Sequence, residues 1–347
     1  MLVLSFFWGQ YFCNKIFIKN IMNYSTNTIF NSTIAAYAVS AACELEFLDE
    51  LQHNGTINIT NICDNRNLHK PSIISIFDAL CCFDICIATE NPGIFKQGSL
   101  FSDIYRNKGF FLWLVRGYGT IMQNLASVVK NENRTGNFIQ RNGEYVAIAS
   151  QQQGSCMVEP YFDSILNESS FTKVVDLGCG SAERLINLAK KFPSVRGIGI
   201  DINPEAVKVA QKAILVAGVE SQIKVIQADM RKLEQQTDFI DVDTLLCFFS
   251  GHDLWPWENC LHIMRNFHTA FPNVKRFLLC DTYRSGTVPS SDIPTFTLGF
   301  ELIHSFMGQY IPSITEWMAL FAESGWKCVQ RQDIEVSFST IFDLRPE

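Results

Sequence analysis

From Phe171 to the C-terminus the chain repeats one unit: a short apolar run, a turn, then a helical stretch. The runs are FTKVVDLG, VRGIGIDI, QIKVIQAD, VDTLLCFFS and KRFLLCD. They read as continuously apolar, as strands do when helices cover both faces of a parallel sheet. This alternation constrains the region to an α/β fold. After the fifth run, SITEWMALFAESGW reads as a helix, and WKCVQRQDI and VSFSTIFDLR read as a terminal β-hairpin.

The first run carries the strongest local signal, VVDLGCGSAERL. A buried strand ends in Asp176, a turn through Gly178, Cys179 and Gly180 follows, and a helix begins. Glycine lets the backbone turn tightly there and lets a ligand approach where a Cβ would clash. Dinucleotide enzymes also have such a loop, but three details differ. Glu183 stands where their third glycine would be. Asp176 precedes the glycines, where a carboxylate can face a cationic aminoacyl group. The second strand ends in Asp201, suited to two ribose hydroxyls, and the third ends in Asp229-Met230, suited to an adenine. This ordered set resembles the motifs of class I S-adenosylmethionine-dependent methyltransferases. The resemblance implies a Rossmann-like domain and a cofactor-binding set of Asp176, Gly178, Gly180, Asp201, Ile202, Asp229, Met230 and Phe249.

The N-terminal half has a different character. Thr28 to Leu51 reads as one Ala- and Leu-rich helix ended by Asn54-Gly55. TINITNIC reads as a short strand, PSIISIFDALCCFDI as a helix with apolar i, i+3, i+4 spacing, and TENPGIFKQGSLFSDI as a hairpin. That order is the order of a winged helix. Its presumed recognition helix carries only Lys70 as a fixed positive charge, and the whole chain has a formal net charge of −7. Both facts argue against neutralising many phosphates, so we expect dimerisation rather than nucleic-acid binding. The helical stretch GFFLWLVRGYGTIMQNLASVVKN and the segment NGEYVAIASQQQGSCMVEPYFDSIL join the halves. The whole resembles the small-molecule O-methyltransferase superfamily, whose members dimerise through their N-terminal domains. The expected division is a leader over residues 1–22, a winged-helix dimerisation and lid domain over 23–168, and the cofactor domain over 169–347.

The opening MLVLSFFWGQYFCNKIFIKN lacks a basic region ahead of its apolar run and a small-residue cleavage site, so it does not read as a signal peptide. Gln10, Asn14, Lys15 and Lys19 interrupt it too often for a membrane span. We read it as a dispensable leader, with Met22 as an alternative start. The 12 cysteines are scattered and include no Cys-x-x-Cys pair. Reduced thiols acting as small core hydrophobes, in a cytoplasmic protein with no membrane partner, fit that pattern.

The acceptor chemistry must come from elsewhere. After the fifth strand, DTYRSGTVPSSDIPTF contains no histidine, which argues against the His-assisted hydroxyl deprotonation of plant- and antibiotic-type O-methyltransferases. FFSGHDLWP instead puts His252 and Asp253 just past the fourth strand. PTFTLGFELIHSFMGQY puts Glu301 and His304 on a helix at i, i+3, where both can project from one face. Two imidazoles with a nearby carboxylate and open positions can form a catalytic divalent or ferric site. His262 and His268, in ENCLHIMRNFHTAF, read as surface residues of an amphipathic helix. Trp255 and Trp257 either line the pocket or pack under a loop.

GHDLWP, TLGFELIH and GQYIPS together resemble the α-keto acid C-methyltransferases, bacterial enzymes that methylate the β-carbon of arylpyruvates, branched keto acids or 2-ketoarginine. They look most like the 2-ketoarginine branch. The resemblance implies an iron or zinc ion held by His252 and His304, with Asp253 as a third ligand or as a carboxylate behind the ligands, which stabilises the enolate of a small α-keto acid. Glu301 is the other candidate ligand, or would orient His304 or meet a cationic substrate tail, and Arg141 would hold the substrate carboxylate. Two other readings remain: a metal-independent O- or N-methyltransferase with His252 or Asp253 as general base, and a winged-helix regulator that senses S-adenosylmethionine.

Overall fold

The computed structural model describes residues 25–136, 138–166, 171–287, 290 and 292–347. The apolar leader 1–22 lies outside them. The Ser25 side chain accepts from the Thr28 N–H and caps the first helix, Thr26–Glu44. The single helix expected through Leu51 is broken: Glu46 takes a left-handed φ of 61°, and a second helix runs Phe47–Asn54. Three short strands follow, β1 Thr56–Asn58, β2 Cys86–Ala88 and β3 Ile94–Gln97, paired antiparallel in the order β1-β3-β2. The Asn58 side chain caps a helix at Ile59–Arg66, so TINITNIC turns helical after three residues. Helix Lys70–Cys81 has Pro71 in its first turn and buries Ile73, Phe77 and Leu80.

The segment read as the end of a hairpin belongs instead to helix Phe101–Leu112. It runs into a wide π turn, Trp113–Gly117, where the Tyr118 N–H donates to the Trp113 carbonyl at 3.0 Å. Short helices Gly119–Gln123 and Leu125–Val128 come next, then Gly143–Met157 and Glu159–Leu166. Phe47, Leu51, Phe77, Leu80 and Phe101 centre the core of this half, and Phe300 and Ile303 reach into it from the C-terminal half. Among the described residues, no helix is long and apolar enough to cross a membrane.

The other strands are β4 Lys173–Leu177, β5 Arg196–Asp201, β6 Ile223–Gln227, β7 Thr244–Phe248, β8 Arg276–Thr282, β9 Trp326–Asp333 and β10 Ser339–Pro346. They form one seven-stranded sheet in the order β6-β5-β4-β7-β8-β10-β9. β4 to β8 pair in parallel, and β10 lies antiparallel between β8 and β9. Every residue of β7 and β8 is buried, as helices on both faces require. A buried Arg276–Asp343 pair at 2.7 Å ties β8 to β10. The strand order reverses at β4, which lies between β5 and β7. At such a switch point the connections leave in opposite directions and open a crevice beyond the carboxyl ends of the strands. Both sequence motifs sit there, Gly178–Gly180 after β4 and Phe249–Asp253 after β7.

Candidate active site

A cavity of about 670 Å3 lies over this crevice, and its walls come from both halves of the chain. At one end the glycine turn is held from below: the Gly178 and Cys179 N–H groups donate to the Ile200 carbonyl at 2.8 and 3.0 Å. Gly178 has φ +77°, and a Cβ there would meet Ser250 Oγ at 2.7 Å, so both the turn and the close approach require glycine. Gly180 also has positive φ, with nothing within 4 Å of where its Cβ would stand. That space faces the cavity. Asp201 accepts from the Gly180 N–H at 2.9 Å and the Asn203 N–H at 2.8 Å, one on each oxygen. Each oxygen keeps a lone pair for a ribose hydroxyl. Ile202, Asp229, Met230 and Phe249 share this wall. Bidentate hydrogen bonding from Arg231 holds the Asp229 carboxyl below its ordinary range.

Asp176 departs from expectation. It is buried and lies off the cavity wall, and its Oδ1 has no hydrogen-bond partner among the described residues. Burial raises its pKa to about 7, against the pull of Arg184. Arg184 and Glu159 stand on the wall instead, paired at 2.8 Å, with the guanidinium 3.6 Å over the Phe248 ring. An open glycine cradle and a two-acceptor Asp201 fit the nucleoside of the methyl donor.

At the other end, His252 and His304 meet with ring centroids 4.9 Å apart and ring planes at 89°. His252 Nδ1 lies 2.8 Å from Asp281 Oδ1, and its backbone N–H donates to Asp281 Oδ2 at 2.6 Å. Gly251 permits this approach, since a Cβ there would stand 2.8 Å from Asp281 Oδ2. His304 Nδ1 lies 2.7 Å from the Phe300 carbonyl, a geometry in which the ring N–H donates. Both Nδ1 atoms are thus committed to interior acceptors, and each Nε2 has no hydrogen bond among the described residues. Fixing one ring nitrogen of a histidine in this way frees the other as a base or metal ligand. Burial opposes charge on His252, but Asp281 more than offsets it and raises the imidazole pKa. Burial, and then the neighbouring His252, lower His304 to about 3.

The expected three-ligand metal set is not assembled. Among the described residues no three His, Cys, Asp or Glu side chains converge on one point. Asp253 lines the cavity, exposed, and accepts a hydrogen bond from Gln309. Two imidazoles therefore fit a metal as a pair, with the rest of its shell left to a bound acceptor. Glu301 is also corrected. It is off the cavity wall and accepts from the Ser285 N–H at 2.6 Å. Residues three apart on a helix diverge by about 60°, enough to turn Glu301 toward the Ser285 loop while His304 faces inward. Arg141 does line the cavity, 3.3 Å from Tyr118 Oη, and makes no ion pair among the described residues.

Sequence reasoning passed over Asp281 as a site residue, although a carboxylate directly after the apolar run 277–280 of a central strand was a visible signal. It also passed over the aromatic wall of Phe110, Trp113, Tyr118, Phe296 and Phe300, which no local motif announces. His268 is half-buried rather than free at the surface: it stacks on Trp326 at 4.3 Å, and burial lowers its pKa. Trp255 is buried and packs between Tyr310 and Trp317, off the cavity wall.

A family model described as a methyltransferase domain matches residues 168–323. Methyltransferase ungE' of Aspergillus campestris is 33% identical over 91% of this chain and 95% of its own length. Indolepyruvate C-methyltransferase of Streptomyces griseus is 26% identical over 68% of this chain and 70% of its own. Among solved structures, LaPhzM superposes with a TM-score of 0.65 at 18% identity, over 93% of this chain and 100% of that one. The mitomycin 7-O-methyltransferase MmcR gives 0.63 at 17% identity, over 92% and 96%. The structural likenesses establish a shared fold: a Rossmann-like sheet behind an N-terminal helical domain.

Proposed function

The chain belongs to the class I S-adenosylmethionine-dependent methyltransferases, and from that premise we propose that it methylates the β-carbon of an α-keto acid with an aromatic side chain. The observation that carries this reading is the pair of buried imidazoles, His252 and His304, each with Nδ1 tied inward, in a cavity that also holds Arg141, which makes no ion pair among the described residues. A similarity to an enzyme named for C-methylation of indolepyruvate supports it. The guanidino-bearing acid loses support at Glu301, which lies off the cavity wall and is engaged by the Ser285 N–H.

A carbon beside a ketone becomes nucleophilic only after losing a proton. When bound, S-adenosylmethionine supplies an electrophilic methyl, and a divalent or ferric ion supplies Lewis acidity toward the ketone and carboxylate oxygens. His252 and His304 would hold that ion through Nε2, with Asp281 and the Phe300 carbonyl fixing their orientation. Arg141 offers the substrate carboxylate a charge-assisted hydrogen bond. Asp253, exposed in the cavity, is placed to accept the β-proton. The aromatic wall excludes water from the carbanion. Gly180, Asp201 and Asp229 hold the methyl donor at the opposite end.

The test is a panel of α-keto acids incubated with S-adenosylmethionine, with and without chelator, and read by mass spectrometry. Chelator-sensitive gain of one methyl on the β-carbon is the expected result. The His252–Asp281 pair also favours a second reading, a metal-independent enzyme with His252 as general base, and activity that survives chelation would move the assignment there. We extend the proposal to a homodimer, because helix Thr26–Glu44 leaves Ile29, Phe30, Ile34 and Tyr37 exposed.

A further inference from the structure

Helix Thr297–Met307 starts badly by every local rule. Its N-cap is Phe296, which makes no side-chain capping bond and takes φ 78°, ψ −41°. That conformation is close to a γ-turn that non-glycine residues seldom adopt, and a capping position ordinarily selects Ser, Thr, Asp or Asn. The buried Thr297 hydroxyl beside it has no hydrogen-bond partner among the described residues. Backbone that is unfavourable in itself persists where its surroundings hold it, and such positions cluster at functional sites.

The surroundings here are rings. Phe296 stacks on Phe110 with centroids 4.5 Å apart, meets Trp113 edge-on at 5.1 Å, and packs on Phe300 at 5.1 Å. Phe300 in turn lies 4.0 Å from the His304 ring. Positions 296, 300 and 304 recur every four residues, so one helix face carries the aromatic wall directly to the imidazole. Phe110 and Trp113 come from the N-terminal half, so the same ring is where that half meets the helix bearing His304. All five residues line the cavity.

Building on the α-keto acid reading, we propose that Phe296 is the specificity-determining residue. Its ring is the face that the acceptor's aryl side chain packs on, and it selects aryl over branched-alkyl α-keto acids. A residue chosen for backbone or capping would be Gly or Asp. The ring accounts for phenylalanine there, since offset and edge-on aromatic contacts add affinity beyond the area they bury.

The test uses the full chain and two variants, Phe296→Leu and Phe296→Gly. Two quantities are measured for phenylpyruvate and for 4-methyl-2-oxopentanoate: kcat/KM, and affinity for the S-adenosylhomocysteine-loaded protein by calorimetry. Both variants should lose about 2- to 12-fold of the aryl preference, expressed in KM and in affinity for the aryl acid, with the alkyl acid little changed. Phe296→Gly relieves the positive φ, so its Tm should not fall below that of Phe296→Leu, which keeps a folded comparison in hand. If the wild type turns over α-keto acids and both folded variants keep its aryl preference, the proposal for Phe296 is overturned and the function stands. If the wild type methylates no α-keto acid, the function itself is overturned, and this inference with it.

Discussion

His252 and Asp281 are joined twice: ring Nδ1 to Oδ1 at 2.8 Å and backbone N–H to Oδ2 at 2.6 Å. One carboxylate thus sets the tautomer of the imidazole and pins the loop that carries it. Asp281→Asn keeps the shape but turns one acceptor into a donor, facing either the ring N–H or the backbone N–H. We expect kcat/KM and metal affinity each to fall by roughly 10–100-fold with the fold intact. Steady-state kinetics, metal-binding isotherms and circular dichroism on the same preparation check this.

Arg141 is a guanidinium on the cavity wall with a hydroxyl neighbour, and among the described residues it makes no ion pair. Arg141→Met should raise KM for the α-keto acid by about 10–100-fold, the loss of one charge-assisted hydrogen bond. Affinity for S-adenosylhomocysteine should stay unchanged. A parallel loss of cofactor affinity would place the side chain at the wrong end of the cavity.

The buried Asp176 makes stability depend on pH in an unusual direction. Its pKa is raised by burial from 3.8 to about 7, so across that interval the folded chain holds a proton that the unfolded chain has released. Stability from this group therefore falls as pH rises through that window, and the whole penalty stands above it. Asp176→Asn removes the ionisation. Its Tm should exceed that of the cofactor-free wild type at about pH 8, with the difference vanishing near pH 4. Melting curves across that range test it, and a gap that widens toward acid would refute the assignment.

Gly178 and Gly180 both have positive φ, yet they should fail differently. A methyl at 178 must displace Ser250, whereas one at 180 enters open space. Gly178→Ala should lower stability by about 1–3 kcal/mol, combining left-handed strain with a steric clash. Gly180→Ala should melt nearer the wild type and lose cofactor affinity instead. Thermal melts paired with S-adenosylhomocysteine titration separate the two.

The α/β half was legible because its information is local. Apolar strands, one glycine turn, and the acidic residues Asp176, Asp201 and Asp229 at or just past the ends of the first three can each be read within a dozen residues, and β4 to β7 fall where that reading puts them. The substrate end was less legible because its information is not local. His268 reads as a surface residue until Trp326, far along the chain, supplies the ring it stacks on. Glu301 shares a helix with His304, but Ser285 decides which way it turns. Phe110 and Trp113 belong to the site only because helix Phe101–Leu112 and its π turn pack against Phe296. The single long helix expected over Thr28 to Leu51 failed for a simpler reason: Glu46 breaks it in a left-handed conformation, with neither glycine nor proline to announce the break.

The wide turn at Trp113–Gly117 has a consequence for descent. In an α-helix, residues five apart point about 140° away from each other. The extra residue in this turn brings Trp113 and Tyr118 ring to ring, 4.5 Å apart, on one wall of the cavity. Deleting one residue of the turn would restore regular winding and leave the two rings four apart, about 40° from each other and still neighbours, so the helix path beyond the turn would keep its facing. The extra residue is absorbed where it sits, and descent can gain or lose it without rebuilding the cavity wall. Among relatives of this chain, a regular helix in place of this turn should still bring two rings to the same wall.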